Sequence, residues 1–197
     1  MQTALKKNLT QEEFSLVTNA NFIISKTNII QSVYEMFGEL SDEYRAHLSS
    51  LCKEKINVGT PKISRGENYN GLPYVMLDYP RNFSKEGTFA IRTFFWWGNF
   101  FSITLHLSGN HLMQWKNVLL KSIQKGEFSG WFINGTNDEW EHHFEGNNYR
   151  LIDNTMQMEK EDFTCLKLAK KIPLEKWEES YDFLLKNFKT IVQILHK

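Results

Sequence analysis

Apolar residues recur every three or four positions near the start of the chain, which is the spacing of an amphipathic helix. Thr10, with Glu13 three residues later, forms a capping-box signal, so a short helix is predicted over about 10–18. The same spacing continues through 25–51, where Gly38 and the Ser41-Asp42 pair favour two helices, or one helix with a break.

The second half of the chain carries two more helical patterns. Asn110 is a candidate cap for a helix over about 111–123. Pro173 suits the first turn of a long C-terminal helix, whose apolar stripe runs to Leu195. Between these helices, Gly, Asn, Asp and Trp crowd residues 126–148, which predicts a loop with short strand pieces. Two further strands are expected near 149–152 and 163–170.

The middle of the chain changes to the alternating pattern of strands. Two dipeptides, Asn70-Gly71 and Gly98-Asn99, are signals for two-residue hairpin turns. Each turn joins two predicted strands, which gives an antiparallel meander over 56–108. The four strands are expected near 62–69, 72–79, 88–97 and 100–108.

Together these elements predict an α+β fold. A single domain over 1–197 would combine a mainly antiparallel sheet with N-terminal helices, one middle helix and a long C-terminal helix. A chain of 197 residues can bury one sizeable core, and two full domains would be cramped. No repeat or low-complexity tract divides the sequence.

The hairpin at Gly98-Asn99 carries the main candidate binding surface. With a two-residue turn, Trp97 opposes Phe100 and Ile91 opposes His106. One face of the two strands is then mostly apolar, and the other combines aromatic rings with hydroxyl groups and a histidine. The mixed face needs a cover, for which a helix of the chain is the first expectation, with a second copy or a small ligand as alternatives. The candidate ligand-binding residues are Arg92, Thr93, Phe95, Trp97, Ser102, Thr104 and His106.

Arg92 is the one charged residue on the apolar face of that predicted hairpin. A guanidinium among apolar side chains must be paired or must reach water. A salt bridge to an acid is the favoured interpretation. The alternative is an anchor for a carboxylate or phosphate, which arginine holds with two parallel hydrogen bonds.

The stretch DEWEHHFE, residues 138–145, is the candidate metal cluster. As a strand it would place Glu141, His143 and Glu145 on one face, a donor set that can hold zinc or a harder divalent ion. Three near neighbours on one strand need a further ligand from elsewhere, so a solvated, charged loop edge is the favoured interpretation. No cofactor is predicted.

Charge and composition narrow the partners and the location. Lys plus Arg and Asp plus Glu both number 23 with no basic stripe, so no nucleic-acid partner is predicted. No membrane partner is predicted, because a spanning helix needs about 20 mainly apolar residues and Gly98-Asn99 breaks the aromatic run at 94–101. Cys52 and Cys165 are isolated and the start of the chain has no secretory signal pattern, which predicts a cytoplasmic protein.

The opening LTQEEF, followed by helices and an aromatic-rich antiparallel sheet, resembles the YktB-like group of small bacterial proteins. The stretches RGENYNGLPYVMLDYPR and FAIRTFFWWGNFFSITLHLSG look like segments of hypothetical bacterial proteins without an assigned activity. The resemblance implies a single bacterial α+β domain, and it supplies no catalytic residues.

Three functional hypotheses follow from these patterns. The first is a non-catalytic cytosolic protein that binds a small ligand or a protein partner on the aromatic and hydroxyl face of the sheet, because ligand pockets combine apolar walls with a few convergent polar groups. The second is a metal-assisted hydrolase that uses the cluster at 138–145. The third is a homodimer with a structural or interaction role, closed through the aromatic hairpin or the last helix.

Overall fold

The computed structural model describes residues 8–51, 59–153 and 163–197. Its helices α1 to α4 span Gln11–Val17, Ala20–Leu51, Gly109–Gln124 and Ser180–Leu195, and a 3-10 helix at Leu174–Glu179 precedes the last of them. The strands β1 to β7 span Lys62–Tyr69, Leu72–Ser84, Gly87–Trp96, Phe100–Ser108, Phe132–Asn134, Tyr149–Leu151 and Cys165–Pro173.

The seven strands form one antiparallel sheet in the order β1-β2-β3-β4-β7-β5-β6. Strands β1 to β4 make the predicted meander, β7 returns to pair with β4, and the short β5–β6 hairpin forms the far edge. Helices precede, interrupt and follow the strands along the chain. The α+β fold class is therefore confirmed.

Local signals explain the helix starts only in part. The capping box of α1 is present, since the Thr10 hydroxyl accepts from the Glu13 amide at 3.2 Å and the Glu13 carboxylate accepts from the Thr10 amide at 2.7 Å. The predicted Asn110 cap is wrong: α3 begins at Gly109, and the N-cap Ser108 makes no side-chain cap bond. The Ser108 hydroxyl instead accepts from the Thr88 amide, across the neighbouring strand.

The predicted break near Gly38 is also wrong, because α2 is continuous from Ala20 to Leu51. A glycine inside a helix costs about 1 kcal/mol relative to alanine. That cost is outweighed by the apolar stripe on both sides of it, which is fully or almost fully buried at Val33, Phe37, Leu40, Tyr44 and Leu48.

Helices α2, α3 and α4 pack against one face of the sheet and form the main core with it. Tyr44 of α2 shows the mode of packing: its ring stacks on Phe188 of α4 with 3.7 Å between ring centroids, and its hydroxyl lies 3.1 Å from Thr93 Oγ1 on β3. Within the described ranges, no helix combines the length and the apolar character that crossing a membrane requires.

The opposite face of the sheet is covered by a loop. Residues 135–148, between β5 and β6, run back across β4 and β3 as far as Tyr69 of β1. A second, smaller apolar cluster around Phe94, Trp96 and Phe100 lies on this face, with Phe144 of the loop packed against it. We call this surface the loop-covered face.

Candidate functional site

The β3–β4 hairpin differs from the predicted one by a single residue. Trp96, and not Trp97, pairs with Phe100, so three residues connect the strands. Gly98 closes this loop at φ +70°, and the Asn99 amide donates to the Trp96 carbonyl at 3.1 Å. Successive side chains of a strand point to opposite faces, so the shift moves every β4 side chain to the other face relative to β3.

The predicted mixed face is therefore wrong, and the candidate ligand-binding residues separate into two groups. One group faces the helices. Thr93 and Phe95 are buried there, and Trp97 is partly buried against the core. The other group shares the loop-covered face: Arg92, Ser102, Thr104 and His106.

Two neighbouring cross-strand rows place most of the charge on the loop-covered face. The first row runs across the sheet through Lys62, Asp78, Arg92, Thr104 and Ala169. The second row runs through Arg81, Ala90, His106 and Lys167. An irregularity in β2 between Asp78 and Arg81 brings both of these side chains to the same face although they are three residues apart.

Asp78 and Arg92 form a buried ion pair at the centre of this face. The carboxylate accepts from Arg92 Nε at 2.7 Å and from Nη2 at 3.1 Å, which is the two-point geometry that holds a guanidinium in one orientation. Arg92 is 4% exposed. The salt bridge favoured from the sequence is thus present, with its acid directly opposite on the neighbouring strand.

His142, from the covering loop, adds a third contact to Arg92. Its Nε2 lies 3.1 Å from Arg92 Nη1. An arginine N–H can only donate, so Nε2 is the acceptor and the neutral ring carries its proton on Nδ1. Burial, followed by the charges of Arg92 and Lys167, holds the pKa of His142 well below its usual range, which fits this assignment.

His106 is a second buried histidine beneath the loop. Its side chain is 1% exposed, and Glu139 Oε2 lies 3.2 Å from Nε2. Neither ring nitrogen has hydrogen-bond geometry to a partner in the described part of the chain. Burial, followed by the charges of Arg92 and Lys167, lowers the pKa of His106 to about 3.

Two side chains from the sheet hold the backbone of the loop. Lys167 of β7, fully buried, donates to the carbonyls of Asp138 and Glu141. The Tyr69 hydroxyl of β1 accepts from the amides of His142 at 2.6 Å and His143 at 3.1 Å. These contacts keep the loop in one position over the charged rows, so the site beneath it is preorganised.

Replacing Lys167 with methionine is expected to lower the free energy of unfolding by about 2–3 kcal/mol, because two loop carbonyls lose a charged donor. Urea denaturation followed by circular dichroism measures this loss, and amide exchange at His142 should become faster. Lys171→Met is the matched control, since Lys171 is exposed and its ammonium borders the Phe100 and Phe144 rings; it should cost less than about 1 kcal/mol. Equal losses in both variants would contradict the role given to Lys167.

The predicted metal cluster is not assembled. Residues 138–145 form loop and not a strand, so the alternation that placed Glu141, His143 and Glu145 together does not apply. His143 Nδ1 instead lies 3.0 Å from the Tyr69 hydroxyl. Among the described residues, no three His, Cys, Asp or Glu side chains converge in a way that could hold a metal ion.

The cysteines offer no activated thiol in the described part of the chain. Cys165 is buried and free, and burial raises the pKa of its thiol to about 11, so the thiol stays protonated near neutral pH. Cys52 lies outside the described residues.

A cleft of about 200 Å³ opens at the edge of the charged rows, beside the covering loop. We call it the cationic cleft, because three cations and one carboxylate line it. Its lining is Lys62, Ser64, Asp78, Arg81, Phe83, Arg92 and Trp140. Of these, only Arg92 was a candidate from the sequence; the alternation of β2 could have indicated Asp78, but no local signal indicates Trp140.

Comparisons of the chain with protein-family models, with curated proteins and with solved structures find no match. The resemblance to the YktB-like group and the homodimer hypothesis therefore stay predictions. The proposed function therefore rests on the geometry of the cationic cleft.

Proposed function

We propose that the protein is a non-catalytic binding protein that holds a small anionic ligand in the cationic cleft. The observation that carries the proposal is the charge of the lining: Lys62, Arg81 and Arg92 face one carboxylate, Asp78. That carboxylate is already committed to Arg92 through two hydrogen bonds. The cleft thus keeps an excess of positive charge that a small anion would neutralise.

The fixed position of Arg92 favours binding over a purely structural role. An arginine has five N–H donors, and in the described part of the chain Asp78 and His142 take three of them. Arg92 also lines the cleft, and its side chain is already ordered by its partners. A ligand would therefore meet a donor that loses little further conformational entropy on binding.

Arg81 is positioned in a similar way. Its Nε donates to the carbonyl of Thr60 at 2.9 Å, which holds the guanidinium at the rim of the cleft. Lys62 stands beside Asp78 on the neighbouring strand. The three cations come from β1, β2 and β3, so the rigid sheet sets their spacing.

Isothermal titration calorimetry with inorganic phosphate and with sulfate tests the proposal. We expect saturable binding that becomes at least about tenfold weaker when Lys62 and Arg81 are both replaced by glutamine, since each charged hydrogen bond contributes roughly 1.5–3 kcal/mol. Lys85→Gln is the matched control, because Lys85 is exposed on the β2–β3 turn and does not line the cleft. Absence of binding, or equal weakening by the control, would contradict the proposal.

A further inference from the structure

Two aromatic rings border the cationic cleft and face solvent. Phe83 is 39% exposed and Trp140 is 60% exposed, and both line the same opening as Lys62, Arg81 and Arg92. Large exposed aromatic rings next to a charged opening are a common feature of ligand sites, where they supply contact area at low conformational cost. The ring pair therefore bears on what kind of anion the cleft would take.

Trp140 is held in place, although most of its surface is open. Its ring lies over the Arg92 guanidinium, with Cζ 5.9 Å from the ring centroid. It meets the His106 ring edge-on at 6.2 Å between centroids, and its amide donates to Asp138 Oδ1 at 2.7 Å. The indole is thus a preformed platform at the rim of the cleft, with solvent beside it.

The size of the cleft limits how much of a ligand it can enclose. Its volume of about 200 Å³ is smaller than the roughly 300–1,000 Å³ of pockets that enclose drug-sized ligands. An anionic head group would fill it, and the rest of the ligand would extend over the aromatic rim. The lining charges favour a doubly charged head group, since three cations stand against one carboxylate.

We infer that the ligand is an aryl phosphate monoester, with its phosphate between Lys62, Arg81 and Arg92 and its ring against Trp140. The inference rests on the proposed anion-binding function and adds the class of ligand. A phosphate monoester carries about −1.5 to −2 charges at neutral pH, which matches the excess of cations in the cleft. The phosphate oxygens accept hydrogen bonds from the three cations. The aromatic ring of the ligand stacks on Trp140, where an alkyl chain would gain less binding free energy.

Calorimetric titration with three probes, inorganic phosphate, ethyl phosphate and phenyl phosphate, tests the inference. We expect phenyl phosphate to bind about tenfold tighter than ethyl phosphate, a difference within the range of ring stacking on an aromatic side chain. In Trp140→Leu this preference of phenyl over ethyl phosphate should shrink to less than about twofold. Phe14→Leu is the matched control, since Phe14 is equally exposed on α1 and should leave the preference unchanged.

The probes separate failure of the inference from failure of the proposed function. Equal affinity for ethyl and phenyl phosphate, with inorganic phosphate still bound, would overturn the aryl class and leave anion binding standing. No binding of any probe would overturn both. A phosphotyrosine flanked by alanines then identifies the source: affinity equal to that of phenyl phosphate supports a free small molecule, and tighter binding supports an aryl phosphate carried by a peptide.

Discussion

Asp78→Ala is expected to lower the free energy of unfolding by about 3–5 kcal/mol, because it leaves the Arg92 guanidinium buried without its counter-charge. Arg92 is 4% exposed and borders solvent only at the edge of the cationic cleft, so water can replace the carboxylate only in part. His142 offers a single neutral acceptor to Arg92 and cannot compensate the charge. Urea denaturation at pH 7.5, followed by far-ultraviolet circular dichroism, measures the loss.

Two further variants show whether burial of the pair causes the loss. Asp42→Ala removes an exposed acid that lies 3.7 Å from Arg45, and it should cost less than about 1 kcal/mol. The double variant Asp78→Leu with Arg92→Met should recover part of the stability, because a well-packed apolar pair can replace a buried ion pair. A loss below about 1 kcal/mol in Asp78→Ala would mean that Arg92 reaches water, which would also weaken its role as a fixed anchor in the cationic cleft.

Local sequence signals predicted most of the helices and strands. The capping box at Thr10, the Asn70-Gly71 turn and the alternation of the meander each depend on a few neighbouring residues, and each is present in the structure. The predicted break at Gly38 was wrong because it ignored long-range contacts. Packing of α2 on the sheet outweighs the local cost of a glycine inside the helix. The type of each element could therefore be predicted from the sequence better than whether a helix is continuous or broken.

The candidate site could be predicted much less well, because it depends on register. Gly98-Asn99 is compatible with a two-residue or a three-residue connection, and only the longer one occurs. Two further irregularities, between Gly66 and Tyr69 and between Asp78 and Arg81, shift the pairing within the meander. Each one-residue shift changes which side chains share a face, so an alternating pattern alone could not bring Arg92 and His106 together.

No local sequence pattern could have predicted where the covering loop packs. His142 meets Arg92 across 50 positions of sequence, and His143 meets Tyr69 across 74. The cluster at 138–145 was recognised as unusual, but its histidines serve as hydrogen-bond partners that fasten the loop to the sheet. The composition of 138–145 thus indicated where the site lies, but it did not indicate what the side chains do there.

Acid is expected to destabilise the protein steeply, through the two neutral histidines under the loop. The folded-state pKa of His106 is lowered to about 3 by burial and by the charges of Arg92 and Lys167, and that of His142 is lowered for the same reasons. Above the unfolded pKa of about 6.5, both states keep these rings neutral and no stability is lost. Below it, the unfolded chain binds protons that the folded chain excludes, so the free energy of unfolding falls by up to about 1.4 kcal/mol per pH unit for each histidine.

His106→Leu isolates one of the two contributions. Neither ring nitrogen of His106 has a hydrogen bond in the described part of the chain, so the variant should lose little stability at pH 8 and should reduce the slope between pH 6 and 5 by about 1.4 kcal/mol per unit. His142→Asn should reduce it similarly while keeping an acceptor for Arg92. Urea titrations at half-unit pH steps give these slopes. An unchanged slope in His106→Leu would indicate that His106 is protonated beside Glu139 already at neutral pH, in which case an ion pair, and not a neutral ring, would fasten this end of the loop.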